Sequence, residues 1–225
     1  MAHMTLLLAQ ANPNADPLLW YVTRTLAVGA YIALAISVML GLLQSIARTA
    51  GERTSWMANE LHIVLSVLSG VLVAGHVITL VLDPYLPFSI ANIIIPANEP
   101  FKPLPVDMGV LAFYGMIALL LSSYLKPRIS HGTWRAIHYV SFIAFILVTA
   151  HGWLAGSDAV TNWMTAIYVG SSIAVGALSF MRLITESPAP GRATAPSNKA
   201  AWSFAIALII GVLGAGLAFQ IANHG

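Results

Sequence analysis

The chain has 225 residues, 58% hydrophobic and only 8% charged, whereas a soluble domain carries about 25% charged residues; an integral membrane protein in a lipid bilayer is expected. The absence of cysteine excludes disulfides, iron–sulfur ligation, a catalytic thiol and covalent C-x-x-C-H cofactor attachment. The net charge of +2 is spread over short loops between apolar runs, where basic residues determine topology, so no nucleic-acid partner is implied.

Residues 1–13, which open with MAHM, read as a tag remnant and flexible N-terminus, since the apolar run 6–9 is too short for a signal-peptide core. Six segments then approach or exceed the ~20 apolar residues needed to cross a bilayer as a helix. They are 18–47, 57–82, 106–124, 134–154, 162–183 and 200–222. The expected fold is an all-α membrane protein, a bundle of six transmembrane helices. Its main domain covers 14–184, a linker covers 185–199, and 200–225 forms the sixth helix and C-terminus.

With both termini on one side, loops 1–2, 3–4 and 5–6 share a face. They carry Arg48, Arg53, Lys126, Arg128, Arg135, Arg182, Arg192 and Lys199, eight of the ten Lys and Arg, and leave Arg24 and Lys102 opposite. The positive-inside rule then makes those loops cytoplasmic and puts both termini outside.

The first span opens with LLWYVTRTLAVGAY, where Trp20 and Tyr21 read as an interfacial belt. Arg24, about one turn further in, has two readings: snorkelling to the outer headgroups or serving as the cation for a haem propionate. The second span, ELHIVLSVLSGVLVAGHVITLVL, carries His62 and His76. The stretch 83–105 holds six of the twelve prolines and cannot be one helix. It is expected outside, either as a functional lid or as a spacer, with SIANIII a short interfacial segment over the bundle. The fourth span carries His138 and His151. Residues 185–199, TESPAPGRATAPSNK, read as a flexible cytoplasmic linker. The sixth span, with GVLGAGLAF, has small residues suited to close packing and no titratable group.

An ionisable side chain at membrane depth is costly unless something uses it. His62 and His76 are 14 residues apart, close to four turns and ~21 Å along one helix face. His138 and His151 are 13 apart, a similar rise but a rotation well off one face, which calls for a distorted fourth helix or two different ligand tilts. The second and fourth spans run in the same direction, so depth pairs His62 with His138 on the inner side and His76 with His151 on the outer side. Two imidazoles fill both axial positions of a haem iron. The predicted cofactors are therefore two stacked, non-covalent, bis-histidine haems b between helices 2 and 4. Gly70 and Gly75 either let a macrocycle approach the backbone or serve ordinary helix packing.

Arg135, one turn before His138, is either a haem-propionate cation or a positive-inside anchor. Asp158 either holds a cation at the outer surface or is simply solvated. His131, His3 and His224 read as solvated, without a role.

These residues resemble the ferric-reductase-like transmembrane domain, the membrane half of NADPH oxidases, ferric reductases and the haem subunit of the bacterial methionine sulfoxide reductase system. The likeness runs through TRTLAVG, LHIVLSVLSGVLVAGH, WRAIHYVSFIAFILVTAHG and HGWLAGSDA. It implies a haem-containing membrane subunit of an oxidoreductase, in a bacterial cytoplasmic membrane, passing electrons outward through two b haems on His62, His138, His76 and His151. The outer-face acceptor would be a ferric chelate, oxygen or a periplasmic redox protein. The sequence has no G-x-G-x-x-G, so the donor is expected on a separate partner: a cytoplasmic flavin reductase carrying FAD or FMN, a reduced flavin, or quinol. Leu80 stands where NADPH oxidases tend to carry a further histidine, which weakens a superoxide-producing role. Two other readings stay open. One is a quinol-oxidising di-haem cytochrome b subunit, and the other a transporter or scaffold whose histidines only hydrogen-bond.

Overall fold

The computed structural model describes residues 17–84, 88–96 and 102–185. Among these the chain is all-helical, with no strand. Five helical stretches are long and apolar enough to cross a membrane. The sixth expected span, the 185–199 linker beyond residue 185, the first residues, His3 and His224 lie outside the described residues.

Helix α1 (Leu18–Thr49) runs for 32 residues, about 48 Å at 1.5 Å per residue and longer than a ~30 Å hydrocarbon core. It ends on Gly51, at φ +78°, where the amide of Glu52 reaches back to the Ala47 carbonyl at 2.9 Å. This is a left-handed glycine stop that satisfies carbonyls the helix leaves open. Helix α2 (Trp56–Leu82) stops before Asp83–Pro84; Asp83 is extended (ψ 114°), as a residue preceding proline prefers.

The proline-rich stretch is broken, as its composition requires. It contains a short helix α3 (Ile90–Ile94), capped reciprocally by Ser89 and Asn92. The Tyr114 hydroxyl donates to the Ile94 carbonyl, so SIANIII forms a short helical segment tied to α4. Helix α4 (Pro103–Tyr124) starts with prolines in its first turn, where the missing amide costs nothing. A 3₁₀ turn at Lys126–Arg128 follows.

The fourth span is two helices. Helix α5 (His131–His138) is capped by Ser130, whose Oγ accepts from the Thr133 amide at 3.0 Å. Helix α6 (Val140–Ala155) follows after an interruption at Tyr139. There the Phe142 amide bonds the Tyr139 carbonyl three residues back at 3.2 Å, a locally tightened turn. The interruption falls directly after His138, so the two histidines of this span do not sit on one regular helix. A distortion of the fourth span, one of the two accommodations its 13-residue spacing left open, is therefore present. Helix α7 (Asn162–Ile184) is capped by Thr161.

Packing divides the bundle into α1 with α2 and α4 with α6, bridged by contacts of α1 with α6 and α7. The core lies between α1, α6 and α7, where Tyr31, Leu34, Phe145, Trp153, Met164, Tyr168 and Val175 are buried together. Helix α2 stands at the edge: 6% of its membrane window is buried against 44% for α1. Between α2 and α6, the histidine-bearing helices, there is no extensive contact among the described residues. Arg182, which a loop assignment would leave solvated, is buried within α7 and donates from Nε to Ser45 Oγ at 2.7 Å. That bond ties α7 to α1 at the end where Arg48 and Lys126 also lie, called here the basic end.

Candidate functional site: two histidine pairs

At the basic end, α2 and α5 bring His62 and His138 together, with ring centroids 6.1 Å apart and planes 69° to each other. Two imidazoles bound on opposite sides of one metal at about 2 Å each would have centroids about 6 Å apart. The pair therefore has the spacing of a shared axial site. At the far end, His76 of α2 lies within electrostatic reach of His151 of α6. Of the two pairs expected from depth, the fold sets the His62 and His138 rings beside each other. Among the described residues no group of three or more His, Asp or Glu converges on a metal site. A macrocycle-bound iron asks only two ligands of the protein, fewer than such a group of three.

Three of the four rings have a backbone carbonyl at Nδ1, and at His62 the Ser37 hydroxyl lies beside it as well, at 3.0 Å. His62 Nδ1 lies 2.9 Å from the Ser37 carbonyl, His76 Nδ1 lies 3.1 Å from the Thr23 carbonyl, and His151 Nδ1 lies 2.8 Å from the Pro105 carbonyl. A carbonyl only accepts, so each Nδ1 carries the proton and each Nε2 keeps its lone pair. This is the ring state that a metal-bound histidine needs, with the acceptor fixing tautomer and orientation. The acceptors Thr23 and Ser37 are themselves 14 residues apart, the spacing of His76 and His62. Antiparallel α1 and α2 thus repeat one device at two depths.

Glycines open the acceptors. The residue four positions after a helical carbonyl stands over it, and at two of the three sites that residue is glycine. A Cβ on Gly109 would lie 2.7 Å from His151 Nδ1, and one on Gly41 would lie 3.3 Å from His62 Cε1. Gly70 and Gly75 face leucines instead, Leu120 and Leu26, which supports their packing reading. Ser37, 2% exposed, also joins its Oγ to Ser66 Oγ at 2.7 Å, and Ser66 Oγ donates to the His62 carbonyl at 2.7 Å.

His138 differs. Its Nδ1 is buried without a hydrogen-bond partner, and its ring stacks on Trp134 at 4.8 Å and 25°. Lys126 Nζ lies 4.2 Å from the centre of the same indole. Arg48 and Lys126 are the cations within electrostatic reach of His138, whereas Arg135 is exposed on α5. His131 is exposed and approaches Trp134 at 5.8 Å.

Arg24 faces Asp158. Its Nε donates to Oδ2 at 2.9 Å, its Nη2 bonds Oδ1, and its guanidinium lies 4.1 Å over the Trp20 ring. Asp158 is 9% exposed, so it is a buried partner rather than a solvated loop carboxylate. An open cleft of about 270 Å³ lined by Tyr21, Thr25, Val28 and Trp163 flanks the pair. Lys102, at φ 45°, reaches the Leu154 carbonyl at 3.0 Å and ties the start of α4 to α6 beside His151. Sequence reading missed the acceptors at Thr23, Ser37 and Pro105, because a backbone carbonyl leaves no mark on residue type. The glycines at 41 and 109, each at the depth of a histidine, were the available signal.

Comparison with family models, curated proteins and solved structures gives no match to this chain.

Proposed function

We propose that the chain is a ferric-reductase-like, di-haem b cytochrome that moves electrons across the membrane, from a cytoplasmic flavin or flavoprotein to an acceptor on the outer face. The observation that carries this reading is the 6.1 Å separation of the His62 and His138 rings, joined to three Nδ1–carbonyl tethers that each leave Nε2 available. Two haems, when bound, supply one-electron couples at two depths.

The protein's part is to hold and insulate. Carbonyls of Ser37, Thr23 and Pro105 keep three imidazoles in one tautomer and strengthen them as donors. His62 with His138, and His76 with His151, would hold the two groups, and a group held by two side chains would pass electrons rather than bind substrate at its metal. The positive-inside rule puts the Arg48 and Lys126 end in the cytoplasm, where a basic surface favours an acidic donor. An inside-negative potential favours outward electron movement by roughly 2.3 kcal/mol per 100 mV for a full crossing.

The test is made in oriented proteoliposomes. Reduced flavin supplied at the basic end should reduce both haems and then an impermeant ferric chelate on the opposite side. Reduction by quinol alone, with no electrons reaching that chelate, would instead favour the quinol-oxidising reading.

A further inference from the structure

We infer that Trp134 is the positioning residue for His138, doing by ring stacking what a backbone carbonyl does for the other three histidines. The inference rests on the proposed reading of His62 and His138 as axial ligands of one haem. His62, His76 and His151 each have a carbonyl acceptor at Nδ1, whereas His138 Nδ1 is buried without one. His138 is also the last residue of α5, directly before the interruption at Tyr139.

What fixes the ring is Trp134, four residues earlier and therefore on the same helix face. The two rings lie 4.8 Å apart and nearly parallel, at 25°. Trp134 Nε1 is buried and unpartnered too, so the contact is ring on ring and not a hydrogen bond. The indole is held in turn by Lys126 Nζ, 4.2 Å from its ring centre, in a cation–π contact. The Ser130 cap fixes the first turn of α5 from which Trp134 projects. Lys126, Trp134 and His138 thus form one stack, and that stack sets the 69° angle between the His138 and His62 planes. The angle has a spectroscopic consequence. Axial imidazoles set nearly perpendicular give ferric haem a highly anisotropic low-spin paramagnetic resonance signal, and turning one ring moves its largest g-value.

The experiment uses the full chain purified with its haem, as wild type, Trp134→Phe and Trp134→Leu. Trp134→Leu removes the stacking ring and should shift or abolish the signal and the reduction potential of one haem while the second keeps both. Trp134→Phe keeps an aromatic face and should retain the wild-type signal, which also guards against Trp134→Leu simply failing to fold. Unmoved signals in Trp134→Leu, equal shifts at both haems, or a phenylalanine variant displaced as far as the leucine one would overturn the inference. Wild-type protein without haem would instead defeat the parent reading.

Discussion

At the far end, His76 and His151 each donate Nδ1–H to a backbone carbonyl, Thr23 on α1 and Pro105 on α4. At the basic end only His62 does so, while His138 leans on an indole. The first arrangement depends on where the main chain runs and on what stands over its carbonyls. The second depends on a particular side chain. One kind of side chain, on two helical spans of one bundle, is therefore exposed to different kinds of substitution at its two depths.

The largest effect expected comes from the ligands themselves. His62→Ala or His138→Ala should remove the basic-end haem and spare the far-end one, and His76→Ala or His151→Ala should do the reverse. Each variant should fall from two haems per chain to one by pyridine haemochrome assay. If His62→Ala and His151→Ala erased the same spectral component, the division into two ends would be broken.

Next is the glycine beside the far-end acceptor. Gly109→Ala places a methyl group 2.7 Å from His151 Nδ1, so the ring must move and most of the far-end haem should be lost. Gly41→Ala, with 3.3 Å to His62 Cε1, asks for less: haem retained, with stability lowered by about 1 kcal/mol as for mild overpacking. Equal haem contents in the two variants would show that access to the carbonyl does not control the sites.

A third variant separates the Arg24–Asp158 pair from the haems. Arg24→Ala leaves a mostly buried carboxylate without its partner, at a cost of about 1–3 kcal/mol, read as a lowered melting temperature in detergent. Both haem spectra should be unchanged, since Arg24 is engaged by Asp158. Selective loss of one haem would restore the propionate role for this arginine. The smallest effect expected is from Ser37→Ala, which deletes the hydroxyl contacts but keeps the carbonyl that His62 uses. A loss of about 1 kcal/mol or less and an unshifted haem spectrum would confirm that the main chain is the tether. A large spectral shift would move that role to the side chain.

The approach of His62 to His138 was legible in the sequence because it needs only depth and helix direction, which apolar length and alternating loops supply. Pro84 stops α2 as expected, but α4 starts at Pro103, three residues before the span expected from 106, because a proline fits the first turn of a helix. The fourth span was half legible. Its 13-residue spacing signalled a distortion, but nothing in His138-Tyr139-Val140 marks where the break falls, because Tyr139 keeps helical torsions, with φ −65° and ψ −17°. Asp158 was illegible as a partner of Arg24, since 134 residues separate them and only the folded bundle joins the first span to the loop before α7. Gly70 and Gly75 drew attention by lying between the histidines on α2. The glycines that matter lie on the opposing helices, and residue order cannot indicate which helix faces a ring.

The central claim, that the four histidines form two bis-imidazole haem sites, is tested most directly by reduced-minus-oxidised spectroscopy with haem quantification on the purified chain. The account predicts two haems b per chain, all released by acid–acetone because no cysteine is present to bind them. A colourless protein, or a fully loaded preparation clearly below two haems per chain, would contradict it.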